Sequence, residues 1–214
     1  MIDDLKTGVA VGLIVPAMTN PLSRFVARKQ ALPPGATPFR DFFKAPFRGS
    51  LAATSVGLTR CVCIFALKPH LGESKFISGG LAGAAASFVS APLSAFCTRL
   101  YVQDHGFFRQ AFAGSLASVG FHCTYWGVYF GSVGLAEQHF ITANAKRDGA
   151  IGGVAATAFA YPLKVLSTNQ RVFQGIRLAD CYKGVGSFGV RGVWAGVLTN
   201  WIVSIMNKND LRRT

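Results

Sequence analysis

The sequence predicts an all-α membrane protein, six transmembrane helices arranged as three pseudo-repeats. Three observations carry that expectation. Half of the 214 residues are apolar and only 14% are charged, whereas a soluble domain carries about 25%. Six apolar stretches each reach the ~20 residues an α-helix needs to cross a bilayer. One phrase, SAPLSAFCTRLYVQ at 90–103, is echoed by NPLSRFVARKQ at 20–30 and YPLKVLSTNQR at 161–171.

The phrases lie in register. Pro21, Pro92 and Pro162 are 71 and 70 residues apart. Nine residues before each stands a glycine (Gly12, Gly83, Gly153), and four before that another (Gly8, Gly79, Gly149). A lone G-x-x-x-G is weak, because small residues recur in many membrane helices. Three copies locked to a proline mark an internal repeat. A single domain, 1–214, thus divides into repeats 1–74, 75–145 and 146–214.

The helices are expected at 6–29, 47–68, 76–103, 109–134, 147–171 and 186–207. The odd ones carry the glycines and the kinking proline, whose freed backbone groups neighbouring helices can re-satisfy. The even ones open with PFRGS (46–50), FFRQA (107–111) and GVRGV (189–193). Charge supports this topology. Connectors inside the repeats and their flanks hold thirteen bases against Asp41, Asp104 and Asp180; the opposite side, with both termini, holds eight bases and six acids. The positive-inside bias places the intra-repeat connectors in the inner compartment. The net charge of +13 therefore reads as topology with some attraction to anionic lipid, and no nucleic-acid partner is expected.

The cysteines (Cys61, Cys63, Cys97, Cys123, Cys181) form no disulfide framework, and no Cys/His set has metal-ligand spacing. MIDDLKTG reads as neither a secretory signal nor a transit peptide. No paired carboxylates, nucleophile–base pair or Walker-type loop suggests an enzyme. GAIGG at 149–153 lies in a transmembrane pattern and lacks the strand context of a dinucleotide fingerprint.

Three tandem two-helix repeats with a proline-kinked odd helix resemble the mitochondrial carrier family. The resemblance spans essentially the whole chain and is closest in ISGGLAGAAASFVSAPLSAFCTRLYVQ (77–103) and DGAIGGVAATAFAYPLKV (148–165). TYWGVYFGSVG (124–134) and RGVWAGVLTN (191–200) resemble the end of the family's fourth helix and the start of its sixth. It implies a carrier-like bundle in the mitochondrial inner membrane, connectors within each repeat on the matrix side and both termini in the intermembrane space. Repeats near 70 residues instead of the family's roughly one hundred imply shortened matrix connectors.

The departures concern charge. The family motif P-x-[DE]-x-x-[KR] supplies the ion pairs of the inner gate. Here its acid positions hold Ser23, Ser94 and Lys164, and its base positions Val26, Cys97 and Ser167. Two bases persist further along, Arg28 and Arg99, with Asn169 in the third repeat. The outer-gate positions fall on Phe130, Val133, Pro69 and 205–207, without acids. Substrate-contact positions carried over from the family fall on Val56, Ala117–Ser118 and Thr199. Alternating access needs two states held by comparable, breakable contacts, and neither gate retains them.

Two further features are weighed. Arg60 and His122 form a candidate residual cavity site, since an intramembrane charge is a functional candidate by default; a structural Arg60 paired to a carbonyl, lipid or neighbouring subunit, and a satisfied core His122, are the favoured alternatives. Phe47-Arg48-Gly49, Phe108-Arg109 and Arg191-Gly192 resemble the family's cardiolipin sites, where helix N-terminal amides and a base hold a lipid phosphate. Arg48, Gly49, Arg109, Arg191 and Gly192 are thus lipid candidates, against an ordinary basic interfacial flank. No cofactor is expected beyond bound cardiolipin. The sequence favours a transport-inactive, carrier-fold accessory subunit of a large inner-membrane complex, of the respiratory chain or else ATP synthase. A divergent metabolite transporter using Arg60, His122, Tyr125 or Asn200 is the alternative.

Overall fold

The computed structural model describes residues 2–31, 47–103, 111–139, 144–172, 182 and 184–211. All regular structure among them is helical: α1 (Ile2–Ala31), α2 (Ser50–Leu67), a 3-10 turn (Lys68–His70), α3 (Lys75–Val89), α4 (Ala91–Gln103), α5 (Ser115–His139), α6 (Ala145–Arg171) and α7 (Val185–Leu211). Seven helices replace the six expected, because the stretch 76–103 is broken at Ser90 and bent by 71°. Pro92 offers no N–H to the carbonyl four residues earlier, and its ring crowds that turn. Helix α1 runs through Pro21, and α6 through Pro162, without a break.

Four segments are long and apolar enough to cross a membrane: Asp4–Ala31, Ser50–His70, Lys146–Arg171 and Val185–Met206; the bent α3–α4 pair makes a fifth. Helix α5 has the length but is not among them. Its run of Ser, Gly, His and Tyr dilutes its apolar character. Besides a buried apolar core, many large apolar side chains lie on the outer surface. Leu51, Leu116 and Phe159 are more than 70% exposed, whereas Arg99 is fully buried. That is the pattern of a multi-pass protein whose solvent is lipid.

The helices pack in chain order, α1 on α2, α2 on α3, α3 on α5, α5 on α6 and α6 on α7, and α7 returns to α1. The result is a closed ring with α4 bent beneath it against α1, α2 and α6. Three seams are built by the repeated glycines. A Cβ on Gly12 would lie 2.7 Å from Leu58 Cα in α2, and one on Gly83 would lie 2.5 Å from the His122 carbonyl in α5. On Gly149 and Gly153 it would run still closer into the carbonyls of Gly196 and Gly192 in α7. The G-x-x-x-G pairs therefore let backbones touch.

The same turn opens three of the helices. The carbonyls of Phe47, Phe112 and Tyr182 each accept from the N–H three residues on, at 3.0 Å. Gly49, Gly114 and Gly184 follow with φ of 79°, 67° and 84°, a left-handed conformation that glycine adopts without Cβ strain. The openings are thus Phe47-Arg48-Gly49, Phe112-Ala113-Gly114 and Tyr182-Lys183-Gly184 in sequence. This corrects the expected starts at FFRQA and GVRGV: Arg191 and Gly192 lie in the second turn of α7. Arg109, like the connectors 32–46, 104–110 and 173–181, lies outside the described residues.

Candidate functional site

The ring encloses a cavity of about 190 Å³ lined by residues of α1, α2, α4, α5, α6 and α7. Its wall holds four cations, Arg60, Lys164, Arg171 and Arg191, together with Ser23, Ser94, Thr98, Thr199, His122 and three tyrosines. It contains no Asp or Glu among the described residues. The apolar remainder, including Val26, Val56, Cys97 and Phe121, makes the wall a poor substitute for water around those charges.

The residues at the expected acid positions meet these cations. Arg191 Nε donates to Ser23 Oγ at 2.6 Å, and Arg60 Nη2 to Ser94 Oγ at 2.6 Å. Lys164 stands at the third position and places its Nζ 5.7 Å from the centroid of the Phe121 ring. So α7, α2 and α5 each touch one of the three positions, twice through a guanidinium–hydroxyl bond. Of the expected base positions, Val26 and Cys97 line the cavity, while Ser167 Oγ donates to the Gly114 carbonyl at 3.3 Å.

Arg60 has a second task. Its Nη2 also reaches Ser90 Oγ at 3.1 Å, the residue at which the third span breaks. One guanidinium therefore grips both sides of the bend from α2. His122 is buried, with Nδ1 2.7 Å from the Ser118 carbonyl. A carbonyl can only accept, so this geometry puts the proton on Nδ1. Both residues line the cavity, and both have structural partners as well.

Below the cavity the ends of α1, α4 and α6 are tied together. Arg28 Nε donates to the Tyr101 carbonyl at 2.8 Å, and Arg99 Nε donates to the Arg171 carbonyl at 2.9 Å. Arg28 and Arg99 both stand seven residues after the repeat proline; Tyr101 and Arg171 both stand nine after. Each guanidinium thus caps the C-terminal end of the next repeat's proline-bearing helix, α4 or α6, where carbonyls are unsatisfied and the dipole is negative. The third junction is neutral: Thr168 Oγ1 donates to Gln30 Oε1 at 3.0 Å, and Gln30 Nε2 to the Tyr161 hydroxyl at 3.2 Å. Tyr101 adds a hydroxyl bond back to Asn20 Oδ1.

No family model matches this chain, and no curated protein does.

At the opposite mouth, the outer-gate positions are occupied by packing. Phe130 and Val133 are buried in the principal core, and Lys68 Nζ sits 3.9 Å from the Phe130 ring centroid. A 2.6 Å ion pair joins Lys75 to Glu137 between α3 and α5, within one repeat. Its partners are about half exposed, so it adds little stability.

The lipid candidates separate. Arg48 is exposed beside Gly49, the N-cap of α2, and Gly49 abuts Tyr101 of the following repeat. Arg191 faces the cavity, and Gly192 packs against Thr157 of α6. Sequence reading keyed on arginine and so missed Gly114 and Gly184. The aromatic-x-Gly triplet at 47, 112 and 182 was the available signal.

Proposed function

We propose that this chain is a carrier-fold protein that no longer transports and serves as a structural accessory subunit of a mitochondrial inner-membrane assembly. A respiratory complex or supercomplex is the first choice, ATP synthase the second. The observation that carries the reading is the pair of buried bonds from Arg28 and Arg99 to the carbonyls of Tyr101 and Arg171. A gate that cycles is best built from side-chain pairs that can separate and find water. A guanidinium bonded to a buried helix-terminal carbonyl strands both groups if it opens, at ~1–3 kcal/mol or more for each unmade buried bond. Serines in place of gate acids remove the counter-force that would re-form a second state.

On this reading the three pseudo-repeats serve as scaffold, with the intra-repeat connectors on the matrix side and the termini in the intermembrane space. Cardiolipin is the lipid partner, its phosphate on the amides at the start of α2 beside Arg48. A divergent anion transporter is the second reading, favoured by the four cations in the cavity wall.

The test is mild-detergent solubilisation of the inner membrane, native-gel separation and mass spectrometry across the size range. Co-migration with one large complex at fixed stoichiometry is expected. Migration as a monomer, with anion uptake into liposomes that Arg60→Ala abolishes, would replace the scaffold reading by the transporter.

A further inference from the structure

We infer that the cavity holds an oxyanion, a phosphate group or a short dicarboxylate, as a retained counter-ion of Arg171 and Lys164. Arg171 is only 3% exposed and lines the cavity. Its Nη1 donates to Thr98 Oγ1 at 3.4 Å. Its Nε and Nη2 are buried and have no hydrogen-bond partner among the described residues. Those two nitrogens form one edge of the guanidinium plane, the edge that accepts a carboxylate or phosphate through two parallel bonds. The vacant edge is therefore a shaped donor pair as well as a charge.

The surrounding charges sharpen the inference. Among the described residues, Arg60 and Arg191 bond to neutral hydroxyls, and Lys164 is faced by the Phe121 ring. A guanidinium does not shed its proton in a protein, so charge cannot be relieved by deprotonating the arginines. Arg171 is buried and Arg60, Lys164 and Arg191 are half-buried around the same cavity, and crowding like charges there without an anion is costly. Among the described residues no carboxylate lines the cavity, and a bound anion supplies the negative charge that this wall does not.

A phosphate or a four-carbon dicarboxylate fits a cavity of about 190 Å³ with residual hydration.

The same residue joins this site to the junction below. The Arg171 carbonyl accepts from Arg99 while its side chain faces the cavity. An anion that orders Arg171 thus also stabilises the α4–α6 junction, and the two are thermodynamically linked. This site does not depend on assembly into a larger complex, so it can stand or fall separately from the scaffold reading.

The experiment uses the full chain, delipidated in detergent, and follows its melting temperature in phosphate, succinate or chloride at equal ionic strength. Binding of [32P]phosphate is measured in parallel. Phosphate or succinate should raise the melting temperature saturably, by about 5 °C at 100 times the dissociation constant, with about one phosphate bound per chain. Arg171→Gln and Lys164→Gln should each weaken binding tenfold or more, while Lys75→Gln, outside the cavity and half exposed, leaves it unchanged. If Arg171→Gln does not fold, Lys164→Gln decides alone. A rise produced by cardiolipin but not by the free ions, and lost in Lys164→Gln, would assign the same site to a lipid headgroup. No rise with any oxyanion or cardiolipin beyond chloride, or a rise that survives both cavity variants, would overturn the inference.

Discussion

The seams inside the repeats and the junctions between them follow different rules. Each seam is made by backbone approach: Gly12 against Leu58, Gly83 against His122, Gly153 against Gly192. All three are chemically alike, because the requirement is only the absence of a side chain. The junctions are polar and unequal. Two are closed by guanidinium-to-carbonyl bonds and the third by Thr168, Gln30 and Tyr161. The seams are alike around the ring while the junctions differ in charge. A change of shape should therefore cost far more than a change of charge.

The largest effect is expected at a seam. Gly153→Leu would drive a branched side chain into the backbone of α7 at Gly192, where even a Cβ has no room. Relaxation must part α6 from α7, so loss of the folded ring is expected, and Gly153→Ala should cost ~1–3 kcal/mol as an overpacked contact. Gly189, whose Cβ would meet nothing within 4 Å, is the control on α7. Gly189→Leu should leave the melting temperature and the size-exclusion profile unchanged. Equal loss in both variants would show that the seam is not what closes the ring.

The junctions should respond in order of charge. Arg99 is fully buried, and Arg99→Met leaves the Arg171 carbonyl without its donor. A cost of ~2–3 kcal/mol is expected from the lost charge-assisted bond. Thr168→Val removes a neutral bond at the third junction and should cost about 1 kcal/mol. Thermal unfolding in detergent measures both. If the two variants melt together, the guanidinium is not the stronger clasp, and the proposal of a fixed inner closure weakens with it.

These differences also explain what the sequence could disclose. The glycine and proline register was legible because seam and repeat are local: nine and four residues of spacing place the small faces without knowledge of the partner. Five of the expected spans matched observed helices to within six residues at either end. The break at Ser90 was not legible. Three phrases carry the same proline, yet only the second breaks. Arg60, thirty residues away on α2, holds Ser90 and Ser94 on the two sides of the bend. That contact has no sequence spacing to betray it. Arg171 was equally hidden, because the repeat register gives its position but not the empty edge of its guanidinium. The loss of gate acids at Ser23 and Ser94 was visible, but the cations that turned to those hydroxyls could be found only in three dimensions.

The smallest effect tests that last relation. Ser94 is 4% exposed, and its Oγ lies 2.6 Å from Arg60 Nη2. Ser94→Asp puts a carboxylate one bond further along the same direction, at an expected acid position of the repeat. Building a buried ion pair from nothing is often neutral, because desolvating both partners offsets their attraction. Here Arg60 is already half-buried and bonded to Ser94, so most of the desolvation falls on the new carboxylate. Several uncompensated cations surround it, so the sum should be a stabilisation of about 1 kcal/mol, read as a rise in melting temperature of ~2–4 °C. The same substitution supplies the cavity with its own negative charge. Phosphate should then stabilise the variant less than it stabilises the parent chain, because the two anions compete for one set of cations. A variant that is destabilised, yet responds to phosphate in full, would mean that Arg60 belongs to the bend at Ser90 alone and takes no part in the charge of the cavity.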